Sequence, residues 1–189
     1  MIKQILVGAL AGGAIVFVLS AIFNSVRIAG AHPVSLPAET EALPFLRASI
    51  PKSGIYFFPG VTSSAGMTKE QKEAWQADYN RRYKEGPTGI LVYSTGGKEF
   101  SFSSHLIVQF LLGFFAALTL AVILAMTAST TNYGSRVAVA VLMGLFAFAY
   151  IEPQYWNWYD FPAKYTIVRV LGGVVTWALA GLAMAGIVH

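Results

Sequence analysis

The chain of 189 residues is 56% hydrophobic and only 12% charged, about half the charge of an ordinary soluble domain, so its composition indicates lipid as a solvent and membrane lipids as a partner. It has no cysteine, which excludes disulfides, thiolate metal sites and cysteine nucleophiles, and its three histidines are too few for a histidine-rich metal centre. The formal charge of +4 does not point to nucleic acid, because no Lys/Arg run exceeds the pair Arg81-Arg82.

The first long apolar stretch, Ile5 to Ile28, is long enough to span a bilayer. Met1-Ile2-Lys3 and Ala29-Gly30-Ala31 resemble the ends of a cleaved signal peptide, but the apolar part exceeds the usual core of about 7–15 residues. Residues 1–28 are therefore expected to remain as transmembrane helix 1, a signal anchor.

Residues 29–104 read as a small extracytoplasmic α+β insert. Gly54–Phe58 is a strand candidate. From Thr68 to Gly86 the pattern predicts a helix: Thr68 and Gln71 have capping-box spacing, Gly86-Pro87 is a stop, and acids early with Arg81, Arg82 and Lys84 late suit the macrodipole. Trp75, Tyr79 and Tyr83 recur every four residues and form an aromatic stripe on one face. Gly89–Tyr93 and Lys98–Phe102 are predicted to form a hairpin around Ser94-Thr95-Gly96-Gly97. A cap of about 50 residues has little room for a core of its own.

Residues 105–189 carry three more expected spans: Leu106–Ala128, Val137–Ile151 (starting near Thr131) and Tyr165–Val188. The fold class is thus a mainly α membrane protein, a four-transmembrane-helix bundle with the insert between helices 1 and 2. An N-terminus inside places Lys3, Arg136 and His189 on the cytoplasmic side with no acid, which favours both termini cytoplasmic.

Between the third and fourth spans, at 152–165, lies an aromatic hairpin containing YWNWYDFP. Trp and Tyr concentrate where lipid meets water, so an aromatic belt explains most of it. Asn157 between Trp156 and Trp158, and Asp160 before Phe161-Pro162, point further, to a structural latch or binding element. Asp160 or Glu152 is expected to face Arg169, with both indoles packed beneath the Trp75–Tyr83 stripe. Pro153 and Pro162 are expected to bracket the turn.

His32 and His105 flank the insert and are the candidates for a ligand or metal, but metal sites normally need three or four ligands, and no metal is predicted. No catalytic residue is assigned. Small residues recur at spacing four in every span: Gly8 and Gly12, Gly113 and Ala117, Ala140 and Gly144, Gly181 and Ala185. Such faces favour close helix packing, within a bundle or against other integral membrane subunits.

SGIYFFPG (Ser53–Gly60), GPTGILVYSTGG (Gly86–Gly97), YWNWYDFPAKYT (Tyr155–Thr166) and Trp177 give the chain a resemblance to a family of uncharacterised bacterial four-span inner-membrane proteins. The junction Asn24–Val34, NSVRIAGAHPV, departs from that family's Trp…Pro-Trp-His-like ending and keeps only a His near a Pro. The resemblance implies a fold and a topology in the bacterial inner membrane, and no activity.

Two readings of function follow. The first is a non-catalytic accessory or assembly subunit of a larger inner-membrane complex, respiratory or photosynthetic complexes included. No cofactor is predicted, and pigment, haem or lipid contact arises only inside such a complex. The alternative is a small-molecule or lipid-handling transporter or membrane enzyme, with its site at the extracytoplasmic face among His32, His105, Glu152, Asp160 and Arg169.

Overall fold

A computed structural model describes every residue except Arg27, Ala29 and Thr62. The expected start of the insert, Ala29, therefore lies outside the described residues. The chain is mainly helical, in the order α1 (Ile2–Ser25), α2 (Glu39–Ser49), β1 (Gly54–Phe58), α3 (Lys69–Glu85), β2 (Gly89–Tyr93), α4 (Phe102–Thr127), α5 (Tyr133–Tyr159) and α6 (Ala163–Ile187). Among the described residues four helices, α1, α4, α5 and α6, are long and apolar enough to cross a membrane. They form one compact unit of residues Met1–His32, Phe100–Gln154 and Pro162–His189; a second unit comprises Pro33–Glu99 and Tyr155–Phe161.

In the helical unit, contacts step by four residues on both partners. Between α1 and α4, a Cβ added to Gly8 would meet Ala121 and one added to Gly12 would meet Ala117, while Gly113 lies against Val16. The other side of the same glycines meets α6: Gly8 opposes Val188 and Gly12 opposes Met184. At Gly13 the α4 backbone itself is close, with Phe114 Cα 2.9 Å from where a Cβ would sit. Side-chain-free positions let the backbones approach, which gives dispersion contact where lipid supplies no hydrophobic drive between helices.

A third ladder joins α5 to α6. Gly181 takes the Ala140 methyl, Gly144 takes Trp177, whose Cβ would lie 2.7 Å from a Cβ added to the glycine, and Gly173 takes the Phe148 ring. Two polar rungs extend the same register at its ends: Arg136 bonds the Ala185 carbonyl, and Glu152 pairs with Arg169. Arg136, Ala140, Gly144, Phe148 and Glu152 thus form one stripe on α5, and Ala185, Gly181, Trp177, Gly173 and Arg169 its counterpart on α6. Leu124, Met184 and Val188 are the largest fully buried side chains, where α1, α4 and α6 meet.

All eight small residues singled out from the sequence are buried, and they are spent on contacts inside this chain. The helix ends differ from expectation. The third span is a 27-residue helix that starts at Tyr133, close to the start expected near Thr131, but runs to Tyr159 instead of ending at Ile151, with Pro153 inside it. A proline removes one backbone donor, a loss that long apolar helices tolerate. The helix stops instead at Asp160, whose φ of 57° is left-handed, and Pro162 caps the start of α6. The aromatic segment 155–159 is therefore the last turn of α5, and the expected 152–165 hairpin shrinks to Asp160, Phe161 and Pro162.

In the second unit, β1 pairs antiparallel with β2, Gly54 opposite Tyr93 and Phe58 opposite Gly89. Helix α3 connects them. Its capping box is complete: the Gln71 N–H donates to Thr68 Oγ1 at 3.3 Å and the Thr68 N–H to Gln71 Oε1 at 2.8 Å. No residue of the helix is fully buried, and it is laced by Asp78, Arg81, Arg82 and Glu85, with ion pairs of 2.7–2.8 Å; both arginines hold the Asp78 carboxyl below its ordinary range. The expected hairpin of β2 with Lys98–Phe102 does not form. The partner of β2 is β1, and Ser101 is instead the N-cap of α4, its hydroxyl accepting from the Ser104 N–H at 3.3 Å. Helix α2 has no counterpart in the sequence reading, since Pro44 interrupts its pattern, yet Glu39 and Glu41 open it and Arg47 closes it as the macrodipole favours.

Candidate functional site

Glu152 and Arg169 are brought together as an ion pair, Arg169 Nε donating to Glu152 Oε1 at 3.3 Å. The carboxylate is deep, its side chain 11% exposed, whereas the guanidinium side chain is 43% exposed. An ionised group among apolar helices is costly unless paired, and the pairing answers that cost. One turn before Arg169 on α6, Thr166 is 7% exposed, and its Oγ1 is buried with no hydrogen-bond partner.

Asp160 does not face Arg169. Its carboxylate accepts from the Tyr83 hydroxyl, with distances of 3.2 and 3.4 Å to its two oxygens. Tyr159 meets Phe57 of β1 edge to face at 6.1 Å. The end of α5 is thus held in the second unit by Tyr159 and Asp160. The two indoles expected to do this stay open, Trp156 52% and Trp158 63% exposed, and Asn157 is exposed between them. The physical reason lies in the helix: consecutive residues 156–158 take different sides of α5, whereas Tyr159 meets Phe57 of β1. Along α3 the aromatic stripe stacks on itself, Trp75 on Tyr79 at 5.6 Å and Tyr79 on Tyr83 at 6.0 Å.

The Asp160 carboxylate raises the Tyr83 phenol above its ordinary pKa, chiefly through that hydrogen bond. A raised phenol stabilises the fold below its unfolded value of about 10, and this contribution disappears as pH climbs through the folded pKa. In an ultraviolet phenolate titration, Asp160→Asn is expected to shift one tyrosine to lower pH. An unchanged titration curve would show that the bond does not persist in solution.

The two histidines are spent locally. His32 Nδ1 accepts from the Ile28 N–H at 3.3 Å, which leaves Nε2 as the donor to the Phe23 carbonyl, also 3.3 Å away. It thereby covers the frayed end of α1. His105 Nδ1 bonds the Ser101 carbonyl at 2.7 Å, and its ring lies against Phe100. Among the described residues no three His, Cys, Asp or Glu side chains gather as metal ligands.

Arg136 enters the sequence reading only as a charge on the cytoplasmic side. It is nearly buried, with Nε donating to the Ala185 carbonyl at 3.1 Å and Nη1 to the Thr131 carbonyl at 2.8 Å. Ala185 is in the last turn of α6, where carbonyls lack intrahelical partners and a cation is favoured by the macrodipole. Its spacing of four from Ala140 was the available signal. Comparison with protein-family models, curated proteins and solved structures finds no match.

Proposed function

We propose that the chain is a non-catalytic, multi-pass protein of the bacterial inner membrane that serves as an accessory or assembly subunit of a larger complex, and that it belongs with the four-span family it resembles. In this reading both termini are cytoplasmic and residues 29–104 are extracytoplasmic. Lipid covers the outward faces of the four apolar helices, where Phe115, Leu142 and Phe146 are exposed.

The observation that carries the partner reading is the two-stranded sheet. Ile55 and Val92 are cross-strand partners, 71% and 76% exposed. A two-stranded sheet is marginal alone and needs a further strand or a packing surface to be stable. An apolar pair displayed on so small an element is what a protein–protein contact would cover. The small-residue faces do not argue for partners, because the chain consumes them itself.

Because the chain has no cysteine, Val92→Cys provides a unique cross-linking position. In native membranes it is expected to capture a second, different protein that also co-purifies with the wild type in mild detergent. Isolation as a lone monomer, with no cross-linked subunit, would refute the reading. The partly buried Glu152–Arg169 pair favours the second reading, a small-molecule or lipid-handling protein with its site at the extracytoplasmic face; a small ligand co-purifying in place of a subunit would support it.

A further inference from the structure

We propose that Arg169 and Thr166 form a binding site for a phosphate group at the start of α6, presented by a phospholipid headgroup or by free inorganic phosphate. The lipid source rests on the reading that α5 and α6 cross a membrane.

Three observations converge. First, Glu152 engages Arg169 at Nε alone. Among the described residues Nη1 and Nη2 have no hydrogen-bond partner, and the side chain is 43% exposed. The carboxylate therefore fixes the plane of the guanidinium and leaves its outer edge, a pair of donors with the geometry of two phosphate oxygens, free to bind. Second, the Thr166 hydroxyl, one turn away on the same face of α6, is buried without a partner. A buried hydroxyl left unbonded costs free energy, and a phosphate oxygen is an acceptor able to satisfy it. Third, the charge of the molecule is unevenly placed. The second unit has as many acids as Lys and Arg residues. The helical unit has Lys3, Arg27, Arg136, Lys164 and Arg169 against Glu152 alone, so it carries the whole net charge of +4. Lys164, exposed in the first turn of α6, adds to the positive charge of this unit but lies on another face of the helix from Thr166.

The test uses the full chain, stripped of lipid in detergent, with three probes: dioleoyl phosphatidylglycerol, dioleoylglycerol, which lacks phosphate, and inorganic phosphate. Native mass spectrometry reads lipid retention, and calorimetric titration reads inorganic phosphate. Phosphatidylglycerol is expected to be retained over dioleoylglycerol, and Arg169→Gln to weaken it about tenfold, the worth of a charge-assisted hydrogen bond. Thr166→Val removes only an unpartnered hydroxyl and leaves the Glu152–Arg169 pair intact, so it reports on the site even should Arg169→Gln disturb the fold. It is expected to weaken binding severalfold without lowering the thermal midpoint.

Phosphatidylglycerol retention that depends on both residues establishes a lipid phosphate as the ligand. Binding of inorganic phosphate with the same dependence, and no lipid selectivity, establishes the same site with the free anion as its source. Retention of both lipids alike with no phosphate binding, or affinities unchanged in both variants, overturns the proposal. The two levels separate cleanly. A chain that stays in solution without detergent defeats the membrane reading itself, whereas a detergent-dependent chain whose binding ignores Arg169 and Thr166 defeats this site alone.

Discussion

Gly181→Val is expected to lower the thermal midpoint of the detergent-solubilised protein more than any other single replacement in the α5–α6 contact. A Cβ at Gly181 would overlap the Ala140 methyl, with the Ala140 Cα and the Val137 carbonyl each 3.8 Å away. None of these is the end of a flexible side chain, so the helices themselves must separate. Overpacking of this kind costs about 1–3 kcal/mol, and a displaced helix also disturbs the rungs above and below. The diagnosis is testable by compensation. Ala140→Gly should recover part of the loss in Gly181→Ala, since it removes the methyl that the new Cβ would strike; neighbours in contact couple by about 0.5–3 kcal/mol. Strictly additive midpoints in the double variant would show that the two positions do not touch.

Arg136→Met is the second large effect. The replacement keeps most of the side-chain volume but leaves the Ala185 and Thr131 carbonyls without their donors. A buried polar group left unpaired costs about 1–3 kcal/mol; the Ala185 carbonyl contact is buried and the Thr131 carbonyl contact partly so. The expected result is a lower unfolding midpoint and earlier proteolysis in the loop between α4 and α5. Arg136→Lys should recover only part of the loss, because an ammonium lacks the planar fork that reaches both carbonyls. A midpoint equal to wild type in Arg136→Met would mean that water or detergent satisfies those carbonyls instead.

Much of this architecture was legible in the sequence because it rests on local or strictly periodic signals. The Thr68–Gln71 capping box needs only three residues of spacing, and α3 begins where it says. The pairs at spacing four mark all three helix ladders, since close backbone approach requires small side chains at that period. What the spacing does not contain is the partner. Gly8 and Gly12 look the same whether they meet α4, α6 or another protein, and here they meet both neighbours in the chain.

The misreadings have a shared cause, in that a local signal was outweighed by a distant partner or a neighbouring cap. Lys98–Phe102 has strand composition, but β2 already pairs with β1 from across α3, and Ser101 starts a helix. Pro153 signals a break, but the ladder from Ala140 through Phe148 to Glu152 continues on one α5 face, and a buried helix absorbs a single lost donor. Asp160 illustrates the limit most clearly. It was one of two acids, with Glu152, expected to face Arg169, yet a left-handed backbone at the end of α5 takes its carboxylate to Tyr83, 77 residues earlier. Glu152 takes Arg169, and it stands on the stripe with Ala140 and Gly144, a register that accounts for the choice between the two.

The central proposal is that the four long apolar helices cross a membrane and that residues 29–104 are extracytoplasmic. The absence of native cysteine makes a direct measurement simple. Ser63 in the second unit and Ser129 between α4 and α5 are both exposed, so each can be replaced by cysteine and treated with a membrane-impermeant maleimide. The account predicts labelling of Ser63→Cys in intact cells, with outer-envelope access provided, and labelling of Ser129→Cys only after the inner membrane is permeabilised. Labelling of Ser129→Cys alone before permeabilisation would reverse the orientation, and equal labelling of both would contradict the crossing itself.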